Sequence, residues 1–443
     1  MIAILARATA LAAIVVGALP AGAADFRTFA GHGGPVMGLA ITGDGGTLLS
    51  ASFDNSVGLW SLEGDEAIHW LDGHEAAVNT VIPLTSGRAA SGSDDFDVII
   101  WDVLEGRQVQ RLEGHTGKVM GLSVTRDGTR LASASWDGSV RIWSTDDGRL
   151  DATLTEHEGP VNAVAWSGDE RRLYTAGYDG TLLEWETATW RVTRRLASHG
   201  FGINVILLNE AERWLAYGAL DGGTRILALE TGEALADLTA GRRPILSLAH
   251  SSAGARLAVG DGEGYIMIVG TGNWRVEHDF RAALNGPIWA LAFTGSGEGI
   301  IAGGIANEAM LWPLDGTDSA PRLAEIRREF HTDPDAVPNG ERQFLRKCSI
   351  CHTLGEDGER RAGPPLAGLF GRRAGSVDGY PYSEAILALD IVWSEETIDA
   401  LFDIGPDHYI PGTKMPMQQI AKPEDRADLI DFLKRETALE TKK

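Results

Sequence analysis

Between residues 25 and 314 β-rich runs of five or six residues, apolar positions mixed with small polar ones, are separated by polar segments that carry turn chemistry. The stretch LEGHTGKVMGLSVTRDGTRLASASWDGSVRIW, residues 112–143, is representative. Its runs VMGLSV, RLASAS and SVRIW are β-rich, and RDGT and WDGS separate them with residues that favour tight turns, so the pattern predicts short antiparallel strands joined by hairpins. The pattern also repeats. Trp60, Trp101, Trp143 and Trp185 fall at intervals of 41, 42 and 42, and Trp312 stands 127 further on, with Leu227 and Val269 in the two slots between. His32, His74, His115, His157 and His199 keep the same period, and Asp54, Asp95, Asp137, Asp179 and Asp221 each stand six residues before a Trp or its substitute. Three series in one phase predict seven copies of one supersecondary unit.

After Trp312 the pattern changes. Residues 315–338 are rich in Pro, Asp and Gly and read as a linker, with one short helical stretch over Leu323–Phe330. From residue 339 the apolar spacing is helical. Asn339 is placed to cap a helix through GERQFLRK, Ser394 to cap a second through SEETIDALFDI that Gly405 ends, and Pro423 to open a third. In the third, Glu424 and Asp425 at the start and Lys434 and Arg435 at the end match the helix dipole, and Leu429, Phe432 and Leu433 form one apolar stripe. At the other end of the chain, residues 1–24 have Arg7, an apolar run from Ala8 to Leu19, and small residues at Ala21, Ala23 and Ala24. This is the layout of a cleaved secretory signal, and its 12-residue core is short of the roughly 20 residues a spanning helix needs. An exported protein is expected, with no membrane span left after cleavage.

The repeat resembles the WD-repeat family, whose fold is a β-propeller of four-stranded blades. Seven units then imply seven blades over residues 25–314. The resemblance also implies a hydrogen-bonded network in each blade among the loop His, a Ser or Thr, the turn Asp and the strand Trp. Units one to four match well; the fifth keeps His199 and Asp221 but has Leu227, the sixth has Glu263 and Val269, and the seventh keeps only Trp312. The seventh unit supplies three strands, and FRTF, residues 26–29, is expected to add the fourth and close the ring, which removes exposed sheet edges. Because the His and Asp residues recur in phase, they read as one structural device repeated rather than as ligands. Units of 41 to 43 residues leave no long loop in which to build an active site.

The chain has 62 Asp+Glu against 39 Lys+Arg, a formal charge of −23, which argues against nucleic acid because phosphate binding needs clustered cations. Up to residue 330, leaving out Arg7, 24 Lys+Arg against 42 Asp+Glu give −18; beyond it 14 against 20 give −6. Hydrophobic content of 44% and charged content of 23% are those of a globular protein.

The two cysteines are Cys348 and Cys351, in CSICH. Two thiols two residues apart, followed directly by His352, are spaced to add across the vinyl groups of one haem with the imidazole beneath the iron. A lone CxxC also serves as a thiol redox pair or half a zinc site, but there is no third Cys to complete the latter. A second iron ligand is expected from YIPGTKMPM, where Met415 and Met417 are the candidates, since a thioether opposite His raises the potential and closes the iron.

Residues 340–433 resemble the class I cytochromes c, in particular the mitochondrial type and its bacterial relatives: GERQF before CSICHT, then GPPLAGLFGRRAG, YPYSEA, Trp393, YIPGTKM and DLIDFLK. The resemblance implies an all-α domain over residues 339–443 with one covalent haem c on Cys348 and Cys351. It implies axial ligation by His352 and Met415, and a bond from the His352 ring to the carbonyl of Pro364. It further implies that Arg372, Tyr382, Trp393 and Thr413 surround the haem propionates, and that Gly340 and Phe344 cross Leu429 and Phe432 where the terminal helices pack. One departure concerns partners: the mitochondrial members present lysines around the haem edge, whereas GPDHY here has Asp407 and His408 in place of a basic pair.

A multidomain chain is therefore expected, an all-β seven-bladed propeller followed by an all-α cytochrome c domain. Its expected function is a periplasmic carrier of single electrons whose redox protein partners dock through the haem edge and the propeller, more a carrier than a catalyst. The alternative is the haem part of a periplasmic oxidoreductase whose propeller binds a substrate or second cofactor. A haem sensor or peroxidase would require the loss of Met415 ligation.

Overall fold

A computed structural model of the chain describes residues 27–64, 67–209, 211, 213–239, 243–251, 253–283, 286–314, 337–349, 351–355, 361, 363–380, 382, 384–410, 413, 415 and 419–438. The expected signal, almost all of the linker, Phe26 and Met417 lie outside the described residues.

The first part is seven sheets, each of four antiparallel strands. Six are continuous in sequence, such as Val119–Val124, Arg130–Ser135, Val140–Ser144 and Leu150–Leu154. The seventh is closed by the start of the chain: Arg27–Ala30 pairs with Glu308–Pro313, with Phe29 opposite Ala309 and Thr28 opposite Met310. Phe29 is fully buried and packs edge-on against Trp60 of the first blade, so the closing strand also ties the last blade to the first. The second strands read as near-continuous small or apolar runs, LLSAS and LASAS among them, because each is buried on both faces between neighbouring blades.

The polar network expected of the blades is present in the first four. In blade one Trp60 Nε1 donates to Ser50 Oγ at 2.7 Å, Ser50 lies 2.7 Å from His32 Nε2, and His32 Nδ1 lies 3.0 Å from Asp54 Oδ2. Since Ser50 accepts from the indole, its own proton points to Nε2, which leaves the proton of His32 on Nδ1, facing the carboxylate. Blades two to four repeat this through His74–Asp95 at 2.8 Å, His115–Asp137 at 2.7 Å and His157–Asp179 at 2.9 Å. In blade five Tyr217 stands where the others have Ser or Thr. A phenol is too long for that place, and the His199 ring is turned over: Nε2 meets Asp221 at 2.9 Å while Nδ1 accepts from Arg225 at 2.6 Å. In blade six Glu263, in register with the turn carboxylates, pairs with Arg243 on the surface instead. The turn is made by Asp261, two residues earlier and buried, whose Oδ1 accepts from the backbone N–H of Glu263 and Tyr265.

The second part has helices α1 (Asn339–Lys347), α2 (Glu384–Leu387), α3 (Glu395–Ile404), α4 (Pro406–Tyr409) and α5 (Pro423–Glu436). Long irregular segments join them, and one isolated bridge pairs Arg373 with Val392, so this part is less helical than the all-α expectation. Ser394 caps α3 in a capping box with Thr397, Gly405 ends it at φ 93°, and Pro423 opens α5. Asn339 is not the cap of α1. It is the first helical residue, and its amide donates to Asp425 and Asp428 of α5 instead. There α1 crosses α5, with the Phe344 and Phe432 rings 5.5 Å apart. Arg426, buried in α5, donates to Asp399 of α3 at 2.7 Å and to the Ile420 carbonyl at 2.9 Å, which fixes α5 to α3. No helix among the described residues is long and apolar enough to cross a membrane.

Candidate functional site

The end of α1 sets the first wall of the site. Cys348 N–H donates to the Phe344 carbonyl as the helix closes, and Cys351 and His352 N–H both return to the Cys348 carbonyl, at 3.0 and 2.9 Å. The two thiols and the imidazole are thus held on one tight turn. Both cysteines are buried and unpaired, and burial pushes their thiols up, Cys348 to about 12 and Cys351 to about 11, so both are protonated at neutral pH. Among the described residues no group of three or more His, Cys, Asp and Glu is placed to hold a metal ion.

The segment after the turn folds back beside it. Gly363 N–H donates to the Cys351 carbonyl at 2.6 Å and Leu366 N–H to that of Thr353 at 2.8 Å. This brings the Pro364 carbonyl to 2.8 Å from His352 Nδ1, which donates to it and leaves Nε2 as the ring's free nitrogen. Burial holds His352 below the usual histidine range, which keeps the ring neutral and fit to ligate. Gly363 is required at this point, because a β-carbon there would stand 2.3 Å from Cε1 of the ring.

Arg372 is anchored by two carbonyls, donating to Ala367 at 2.7 Å and Pro365 at 2.9 Å. Trp393 N–H donates to the Arg372 carbonyl while the Trp393 carbonyl accepts from Gly371, so the two residues are locked side by side. The hydroxyl of Tyr382 accepts from Val377 N–H, and its ring stacks edge-on with Tyr380 at 4.7 Å. Thr413 Oγ1 accepts from Met415 N–H at 3.2 Å, a bond that fixes the backbone from which the Met415 thioether projects.

These residues converge. Cys348, Cys351, His352, Pro364, Arg372, Tyr382, Trp393, Thr413 and Met415, all singled out from the sequence, line one cavity of about 500 Å³. The rest of its lining is mostly apolar, Leu366, Leu369, Ile386, Leu401 and Phe402 among it. Such a cavity, with two free thiols, one imidazole and one thioether in an apolar wall and an Arg–Tyr–Trp–Thr cluster for acidic groups, fits a haem. Sequence reasoning missed Gly363 and Tyr380, whose phenol burial pushes well up. It also missed the propeller's part in the same cavity, made by Phe53, Asn55, Ala76, Ala77, Asp94 and Lys118.

The description "WD domain, G-beta repeat" matches residues 25–61, 66–102, 106–144 and 148–186, the four blades whose His–Ser/Thr–Asp–Trp network is intact. The description "Cytochrome c" matches residues 337–436. Among curated proteins, the cytochrome c of Sesamum indicum is 45% identical over 107 residues, 94% of its length and 24% of this chain. That of Cannabis sativa is 46% identical over 101 residues, 88% of its length and 22% of this chain. A fungal cytochrome c, from Gibberella zeae, is 42% identical over 101 residues, 94% of its length and 23% of this chain.

Proposed function

Because the chain belongs to the cytochrome c family through residues 337–436, joined behind a WD-repeat propeller, we propose that it is a periplasmic carrier of single electrons with a covalent haem c. In this reading the Cys348 and Cys351 thiols would hold the haem through thioether links, and His352 and Met415 would ligate its iron. Bound there, the haem supplies a one-electron Fe(III)/Fe(II) couple. The protein's own contribution is orientation and exclusion of water. The Pro364 carbonyl keeps the imidazole in one tautomer and one rotation, the Thr413 hydroxyl steadies the backbone at Met415, and Arg372, Tyr382 and Trp393 line the cavity, where they would meet the acidic groups of the haem. The apolar wall lowers the local dielectric and with it the stability of the more charged oxidation state.

The observation that carries the reading is the convergence of all nine residues, two of them buried free cysteines, on one mostly apolar cavity. The periplasmic location belongs to the proposal as well and is supported by the leader-like pattern of residues 1–24. The propeller is read as a protein-docking scaffold, since its repeated His and Asp side chains are consumed in hydrogen bonds inside the blades. A reduced-minus-oxidised absorbance spectrum of the exported protein tests this reading. One c-type haem that does not bind carbon monoxide is expected; an iron that binds it readily would point to an open site and to sensing or peroxidase chemistry.

A further inference from the structure

Among the described residues, the exposed Phe, Tyr and Trp side chains of the propeller are Phe96, Trp136, Tyr178 and Phe201. The first three lie in turns between the second and third strands of their blades, and Phe201 lies in a loop leading into a first strand. Because strands alternate in direction, these turns and loops all sit at one end of the blades, so the exposed aromatic side chains mark a single face of the ring. Exposed apolar groups gathered on one face mark an interaction surface.

The propeller residues that line the cavity of the cysteines and His352 belong to the same face. Phe53, Asn55 and Asp94 are in second-to-third turns, and Ala76, Ala77 and Lys118 are in loops entering first strands. In blade two the loop carries Ala76-Ala77 where blades one and four carry Gly-Pro, which gives this arc a small, apolar, low-relief surface. Beside it Lys118 pairs with Asp94 and lies 5.4 Å over the Trp136 ring, which holds that corner rigid. Lys347, on the rim of the cytochrome domain, lines the cavity together with Asp94, and the propeller, with 21 Lys+Arg against 38 Asp+Glu over residues 25–314, carries a net charge of −17.

We propose that the arc formed by Phe53, Ala76, Ala77 and Asp94 is the seat of the chain's own cytochrome domain, docked so that the propeller covers the haem edge next to Lys347. The inference rests on the reading of that domain as a haem carrier and adds to it the surface that the haem edge meets first. Covalent linkage of the two domains raises the effective concentration of the one at the other, so a small, weakly apolar seat is enough to keep it docked. An external redox protein then reaches the haem edge by displacing this contact, and the propeller regulates access rather than serving only as an adaptor.

The test uses the full-length holoprotein with its alanine methyls labelled, in the ferric and ferrous states. A paramagnetic ferric haem shifts nuclei near it, and the difference vanishes on reduction. The Ala76 and Ala77 methyls are expected to move between the two states while Ala216 and Ala258, in blades five and six, stay in place. In the Ala76→Arg variant the Ala77 movement is expected to be lost, with the other propeller methyls unchanged as the control for folding. Unmoved Ala76 and Ala77 resonances in protein fully loaded with haem would overturn the inference, as would a movement that grows with protein concentration, since that would mean docking between chains. A preparation without haem would instead contradict the electron-carrier reading, so the two failures are distinguishable.

Discussion

Gly363 stands directly against the imidazole of His352, so that a β-carbon built on it would lie 2.3 Å from Cε1 and 2.6 Å from Nδ1 of the ring. The same two-residue segment supplies the Pro364 carbonyl that holds Nδ1 at 2.8 Å, which means the ring is positioned by close contact and by a hydrogen bond from one stretch of backbone. Gly363→Ala must therefore either rotate the ring or push the segment away. Overpacking of this kind costs about 1–3 kcal/mol. The expected result is a lower denaturation midpoint for the cytochrome domain and a changed reduction potential. A potential and midpoint equal to those of the unsubstituted protein would contradict the assignment.

Closure of the ring by Arg27–Ala30 carries a second prediction. Phe29 is fully buried between the last and first blades, and removing a buried Phe side chain costs about 3–5 kcal/mol. Deleting residues 26–29 also strips the outer edge of the Glu308–Pro313 strand, whose other edge stays bonded to Gly299–Gly304. The propeller of the shortened protein is expected to melt several degrees lower and to aggregate through the exposed edge. A melting temperature unchanged by the deletion would refute the closure as a stabilising contact.

The turn carboxylates predict the response to acid. Burial by itself raises Asp54, but His32 and the donors from Ser56 and Gly33 outweigh it and hold the group down to about 2 against an ordinary value of 3.8. Asp95, Asp137, Asp179 and Asp221 are lowered for the same reasons. A carboxylate whose folded value is depressed adds stability that is complete above the unfolded value and is lost as pH falls towards the folded one. The carboxylates' contribution should hold above pH 4 and decline between about 4 and 2, with about 2 kcal/mol of the decline from Asp54. Burial lowers His157, opposed by Asp179, and this adds a loss of the same sign that begins as pH falls below 6.5. Urea midpoints followed by circular dichroism should therefore fall between pH 5 and pH 3, and Asp54→Asn should lower the midpoint at pH 5 while narrowing the difference. Equal midpoints at the two pH values would contradict the network's role.

The blades were readable because one spacing of hydrophobic, turn and polar positions recurs, and that periodicity is a direct image of the strand order. Reading became harder where a residue's neighbour in space changes its part. His199 keeps its place in sequence, yet its ring is inverted because Tyr217 fills the space of a Ser or Thr. Glu263 keeps the phase, yet Asp261 makes the turn. In the second domain the chemistry was legible because thiols, imidazole and thioether are scarce and their spacing is dictated by the group they bind. Gly363 was not, because what matters there is a missing side chain, and only the position of His352 reveals it. The propeller's contribution to the cavity was also invisible, since Phe53 and Lys347 line it from distant parts of the chain with no shared motif.

The Met415 and Met417 thioethers are separated by one residue, and only Met415 is among the described residues that line the cavity. With Met415 as axial ligand, Met415→Ala opens the iron to carbon monoxide, removes the thioether-to-iron absorption and lowers the potential, because the thioether stabilises the ferrous state. Met417→Ala should keep all three properties close to those of the parent. The opposite pattern would transfer the ligand to Met417.

Electron carriage by this chain requires a haem bonded to Cys348 and Cys351, and the mass of the denatured chain measures this directly. Protein exported from a host that can attach haem c should, after unfolding in acid and solvent extraction, retain the mass of one haem per chain, and Cys348→Ala combined with Cys351→Ala should lose it. A chain of polypeptide mass alone, or a haem that is extracted from the unsubstituted protein, would contradict the account.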